Sequence, residues 1–137
     1  MLWERDGVFV LAASQALVDV HEVLAWVVIV ANGLAGSWAL AAHKDERFRV
    51  RQLWWFTALA ELAVFVQVAL GVVILQSHKG EDYGFHVLYG FSAAFAVGII
   101  YSYRGQLKEK RYLLYGFGGL FIMGLGLRLL TIGQGAI

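Results

Sequence analysis

The sequence predicts an all-α membrane protein: an up-down bundle of four transmembrane helices with both termini on the outer side. Three observations carry that prediction. Of the 137 residues 60% are apolar and mean hydropathy is +0.66, above the apolar share of ordinary soluble domains. The apolar residues fall in four long runs with no proline among them; strands of a membrane barrel would instead alternate over ~10 residues. The connections between the runs differ sharply in charge, which fixes an orientation.

The first run covers about residues 15 to 42, and "VFVLAASQALV" ahead of it is already apolar, fit to add an interfacial helix or an extra turn. The others cover about 53 to 76, 84 to 103 and 112 to 132. At 1.5 Å per residue each crosses a hydrocarbon core of ~30 Å. All four belong to one domain, residues 1 to 137. The first residues, "MLWERDG", lack a basic n-region, so no cleaved leader is expected.

The first connection holds Lys44, Arg47, Arg49 and Arg51, and the third holds Arg104, Lys108, Lys110 and Arg111. The second has Lys79 against Glu81 and Asp82. The positive-inside rule then puts the first and third connections in the cytoplasm and the second outside, as expected of a multi-pass protein of the cell membrane. Trp54, Trp55, Phe56, Tyr101, Tyr103, Tyr112 and Tyr115 fall near the inner surface, and Tyr83 and Phe85 near the outer one, as interfacial aromatics do. The partner predicted with most ground is the lipid bilayer. A net charge of +1 adds no other, and no nucleic acid is expected. The absence of cysteine removes disulfides, thiolate metal ligands and iron–sulfur clusters from this chain.

The fourth run carries Gly116, Gly118, Gly119, Gly124 and Gly126. Small residues let lipid-embedded helices approach closely, which suits either tight packing or a groove for a flat cofactor.

Ionisable side chains within spanning helices are costly and mark functional sites. The first and third helices run in the same direction, so His21 and His86 belong to one leaflet. At helical spacing Ala25, Val28, Asn32 and Gly36 follow His21, and Gly90, Ala93 and Val97 follow His86. A flat ligand between those faces would have an imidazole on either side, as a haem with two axial histidines requires. Arg128, near the outer end of the fourth helix, is placed to pair with Asp19, Glu22 or haem carboxylates. Glu61 and Gln67 lie deeper, the first suited to a hydrogen bond or to proton handling, the second to bonding between helices. His43 and His78 read as ordinary loop residues.

The stretch "FVQVALGVVIL" (65 to 75) resembles a helix signature of the haem A synthase family, with Gln67, Leu70 and Gly71 matching the pattern Q-x-x-L-G. The family also carries one histidine at the outer end of a helix and a second some sixty residues on; here the interval from His21 to His86 is 65. The likeness covers residues 15 to 132, one four-helix half of a protein that has two halves in that family. It implies haem held by His21 and His86; with no cysteine for thioether bonds the expected haem is of b type, with o or a type as variants, and Gln67, Gly90 and Arg128 are expected around it. It also implies an oxidoreductase in which Asp19 or Glu22 stands for the catalytic carboxylate. The chain departs from the pattern where Leu17 and Val18 occupy the turn of the family's glutamate and Glu22 replaces an arginine. It lacks the cysteine pair and the second half, so haem modification would need a homodimer or a larger membrane complex.

Three functions therefore compete: a small b-type cytochrome for electron transfer or haem modification, an accessory subunit of a respiratory or photosynthetic complex, and a small proton-coupled multidrug exporter using Glu61.

Overall fold

Residues 2–77 and 84–135 are described by the computed structural model. They form α1 (Leu2–Lys44), α2 (Arg51–Ser77), α3 (Gly84–Tyr103) and α4 (Arg111–Gly135), with single 3-10 turns at Glu46–Phe48 and Lys108–Lys110 and no strand among the described residues. The expected second connection, with His78, Lys79, Glu81, Asp82 and Tyr83, lies outside them.

Gln15–Lys44, Arg51–Gln76, Gly84–Tyr103 and Lys108–Thr131 are each long and apolar enough to cross a membrane. The first helix differs from expectation at its start. It does not begin near residue 15 but runs unbroken from Leu2, so thirteen residues, ~20 Å of helix, precede the spanning segment. No proline interrupts "VFVLAASQALV", and the helix runs on through Ser14, so helical hydrogen bonding continues.

Side-chain pairs give the directions of the helices. Asn32 meets Ala60 and His21 meets Gln67, so α1 and α2 are antiparallel. Ile29, Gly33 and Gly36 meet Gly126, Met123 and Gly119 in turn, so α4 also runs against α1. Helix α1 packs along both α2 and α4, α3 packs chiefly on α4, and α2 and α3 touch over a short stretch. That leaves α1 and α3 on one diagonal, pointing the same way.

The glycines of α4 resolve the choice left by the sequence in favour of packing. A Cβ on Gly119 would lie 2.7 Å from the Asn32 carbonyl oxygen and 2.9 Å from the Gly36 Cα, and one on Gly36 would lie 2.7 Å from the Gly116 oxygen. Backbone meets backbone there, which only glycine on both sides permits. Gly118 and Gly126 make room for Ile100 and Ile29. Gly124 is the exception, with open space beside it.

Two buried clusters follow. One joins Val28, Val64, Ala93, Ala96, Val97, Ile100 and Ile122 from all four helices; the other joins Ala39, Ala42, Leu53 and Tyr112 nearer the basic connections. The outward faces are as apolar as the interior: Leu59 is 62% exposed, Phe95 71% and Phe121 57%. Such an all-round apolar surface needs hydrocarbon rather than water about it.

The connection after α1 is held by charge. Arg49 Nε donates to the Ala42 carbonyl at 2.7 Å and its Nη2 to the His43 carbonyl at 3.0 Å, satisfying the free end of the helix. Asp45 accepts from the Arg47 backbone and guanidinium, and those bonds hold its carboxyl below the usual carboxylate value.

Candidate functional site

The bundle end opposite the basic connections brings His21 and His86 together. His21 lies in α1 and His86 in the first turn of α3, and their ring centres are 6.1 Å apart with planes inclined at 50°. These two helices are diagonal partners with little direct packing, so the imidazoles span the interior of the bundle. Both side chains are half-buried, and His21 Nδ1 is buried without a hydrogen-bond partner among the described residues.

Helix α2 supplies the seat. Gln67 Nε2 donates to the His21 carbonyl at 2.9 Å, and a Cβ on Gly71 would come within 3.3 Å of His21 Cε1. Residues 67 and 71 are one turn apart on one face, so the same stripe anchors the backbone of His21 and clears space for its ring. The Gln67 amide oxygen is itself buried without a partner among the described residues. On the α3 side Gly90 follows His86 by one turn, and a Cβ there would meet nothing within 4 Å.

The distance between the ring centres is close to the one that two imidazoles on a shared metal would show. With ~2.0 Å for each metal–nitrogen bond and ~1 Å from nitrogen to ring centre, two rings on one ion stand roughly 6 Å apart. The unused His21 nitrogen and the space at Gly90 agree with such a group. Among the described residues no three His, Cys, Asp or Glu side chains gather to hold a metal without further donors. A macrocycle that brings its own four nitrogens needs only the two that are present.

The other predicted residues fall elsewhere. Asp19 and Glu22 are exposed, and Asp19 accepts from Gln15 Nε2 at 3.0 Å. All three residues lie in α1, and on a helix of 3.6 residues per turn Asp19 and Glu22 point ~160° and ~100° away from His21, so neither shares its face. The expected pairing of Arg128 with Asp19 or Glu22 is not made. Arg128 is exposed, and because Gly126 packs on Ile29, it lies near the level of residue 27, about 9 Å further into the bundle than His21.

Asn32, three turns after His21 on its face, is buried and donates to the carbonyls of Val28 at 2.9 Å and Ala60 at 3.2 Å, tying α1 to α2. Glu61, next to Ala60, is half-buried in mid-span, with its carboxyl within electrostatic reach of the Tyr115 hydroxyl. It is therefore about ten residues, ~15 Å, from the histidine pair. The roles of Gly71 and Asn32 were not assigned from sequence, although both lie on the stripes that carry Gln67 and His21.

Comparison with protein-family models, with curated proteins and with solved structures finds no match to this chain.

Proposed function

We propose that the chain is a small haem protein of the cell membrane, a b-type cytochrome with His21 and His86 as axial ligands, working in electron transfer. The observation that carries this reading is the approach of two imidazoles to 6.1 Å across the diagonal of a four-helix membrane bundle. Bound haem would supply a one-electron couple tuned by its axial nitrogens and by burial.

The remaining roles belong to the chain. Gln67 fixes the backbone of α1 at His21, and Gly71 keeps the ring from being pushed aside. Gly90 leaves the α3 side of the site open to the edge of a flat ligand. Asp19 and Glu22, turned from the His21 face, favour binding over carboxylate catalysis, so haem modification in the manner of the haem A synthase family is the lesser reading. The charged connections support an inward-facing basic end, with the termini and the histidine pair outside. Single cysteines introduced at Gly105 and Asp6 test that orientation, since the natural chain has none to interfere. A membrane-impermeant maleimide should label the second and spare the first in intact cells.

The visible spectrum of the purified protein tests the ligand assignment. A Soret band with sharp low-spin α and β bands is expected, and His21→Ala or His86→Ala should remove the low-spin signal. A low-spin signal that survives both substitutions assigns the ligands wrongly.

A further inference from the structure

A second site lies at the opposite end of the bundle, independent of the histidines. An open groove of about 520 Å³ runs between α3 and α4. Ala96 and Ile99 form its α3 side, Leu113, Phe117 and Phe121 its α4 side, and Leu107 and Lys110 flank its mouth at the connection. The groove exists because small residues meet at its floor, Ala96 and Gly118, while Phe117, Phe121 and Ile99 stand out on either side, each more than half exposed. From Lys110 to Phe121 is eleven residues, ~16 Å, close to half of a ~30 Å hydrocarbon core.

The lining is apolar except for Lys110 at the mouth, which belongs to a segment, 104–111, that holds four cations against Glu109 alone. Arg104 and Arg111 are engaged with aromatic rings, those of Tyr101 and of Trp54 and Tyr112. Neither Lys108 nor Lys110 has an ion-pair partner among the described residues.

The geometry points to a phospholipid with an anionic headgroup as the occupant: one acyl chain lies along the α3/α4 groove for the depth of one leaflet, and Lys110 and Lys108 hold the phosphate. A headgroup of zero net charge would find the same hydrocarbon groove but no surplus attraction at its mouth. Each lysine near an anionic headgroup is worth ~1 kcal/mol, about a fivefold preference.

The test uses the full chain, stripped of lipid in detergent, then offered phosphatidylglycerol or phosphatidylcholine of identical acyl composition and weighed by native mass spectrometry. One phosphatidylglycerol should be retained per chain, with a preference of fivefold or more over phosphatidylcholine. Lys108→Gln with Lys110→Gln should abolish that preference while leaving phosphatidylcholine retention unchanged, and Ile99→Trp, which fills the groove from an outward-facing position, should reduce both. Circular dichroism confirms that each variant is folded. Equal retention of the two lipids by the natural chain, or a preference that survives loss of both lysines, overturns the proposal. Neither result depends on whether the histidines bind haem.

Discussion

Replacing Gly119 by alanine probes the closest approach in the bundle. A Cβ there would lie 2.7 Å from the Asn32 carbonyl oxygen and 2.9 Å from the Gly36 Cα, whereas ordinary van der Waals contact begins at 3.4 Å. The neighbours are backbone atoms and cannot rotate away, so α1 and α4 must part by about 0.7 Å, the difference between 3.4 and 2.7. Overpacking of this kind costs ~1–3 kcal/mol. Alanine also gains ~0.5–1 kcal/mol over glycine in a helix, and Gly124→Ala, with nothing within 4 Å of the new methyl, gains that alone. Comparison of the two variants cancels the propensity gain and leaves the packing cost. Unfolding in mixed micelles on titration with sodium dodecyl sulfate, followed by circular dichroism, should show Gly119→Ala less stable than Gly124→Ala by ~1–3 kcal/mol. Equal stability of the two would refute the close α1–α4 contact and the antiparallel register built on it.

Other outcomes follow from the same contacts. Gln67→Leu removes the bond to the His21 carbonyl and should cost about 0.6 kcal/mol in the same titration, typical of a polar contact between membrane helices; no loss would mean that the bond does not anchor α1. Glu61→Gln changes a group some 15 Å from the histidines and should leave the visible spectrum unaltered, while loss of proton-driven export activity in that variant would favour the exporter reading instead. For Asp45, whose carboxyl value is held down by Arg47, the folded form binds its proton less readily than the unfolded one. The contribution is present above the ordinary carboxylate value and is lost as pH falls through the lowered one. An NMR titration of the Asp45 carboxyl should give a midpoint below the ordinary value, and Arg47→Ala should return it there; an unmoved midpoint contradicts the pairing.

Much of the fold was legible because a bilayer imposes strong patterns on sequence. Runs of apolar residues longer than twenty, the lack of proline and the clustered glycines point to four helices whose ends, the start of α1 apart, fall within a few residues of those observed. The start of α1 was not legible, since nothing in "VFVLAASQALV" distinguishes a helix leaving the membrane from one lying on it. Within the site, helical spacing was a sound guide where it was applied strictly. Val28, Asn32 and Gly36, on the His21 stripe, are buried, as are Ala93 and Val97 on the His86 stripe. Asp19 and Glu22 were grouped with His21 by proximity in sequence, and the ~100° turn per residue separates them from it. Arg128 was placed by distance from the helix end, whereas the α1–α4 register, set by contacts between glycines, puts it deeper. That register is a property of paired surfaces and cannot be read along one of them. The pattern of Gln67 and Gly71 was visible as a motif, but its physical sense emerges only when His21 lies against it.

The most direct test of the histidine-pair account is the haem content of the folded, purified protein by pyridine haemochrome. The account predicts non-covalent b-type haem near one per chain, falling steeply in both His21→Ala and His86→Ala. A fully helical natural chain that carries no haem after expression with haem supplied would contradict it.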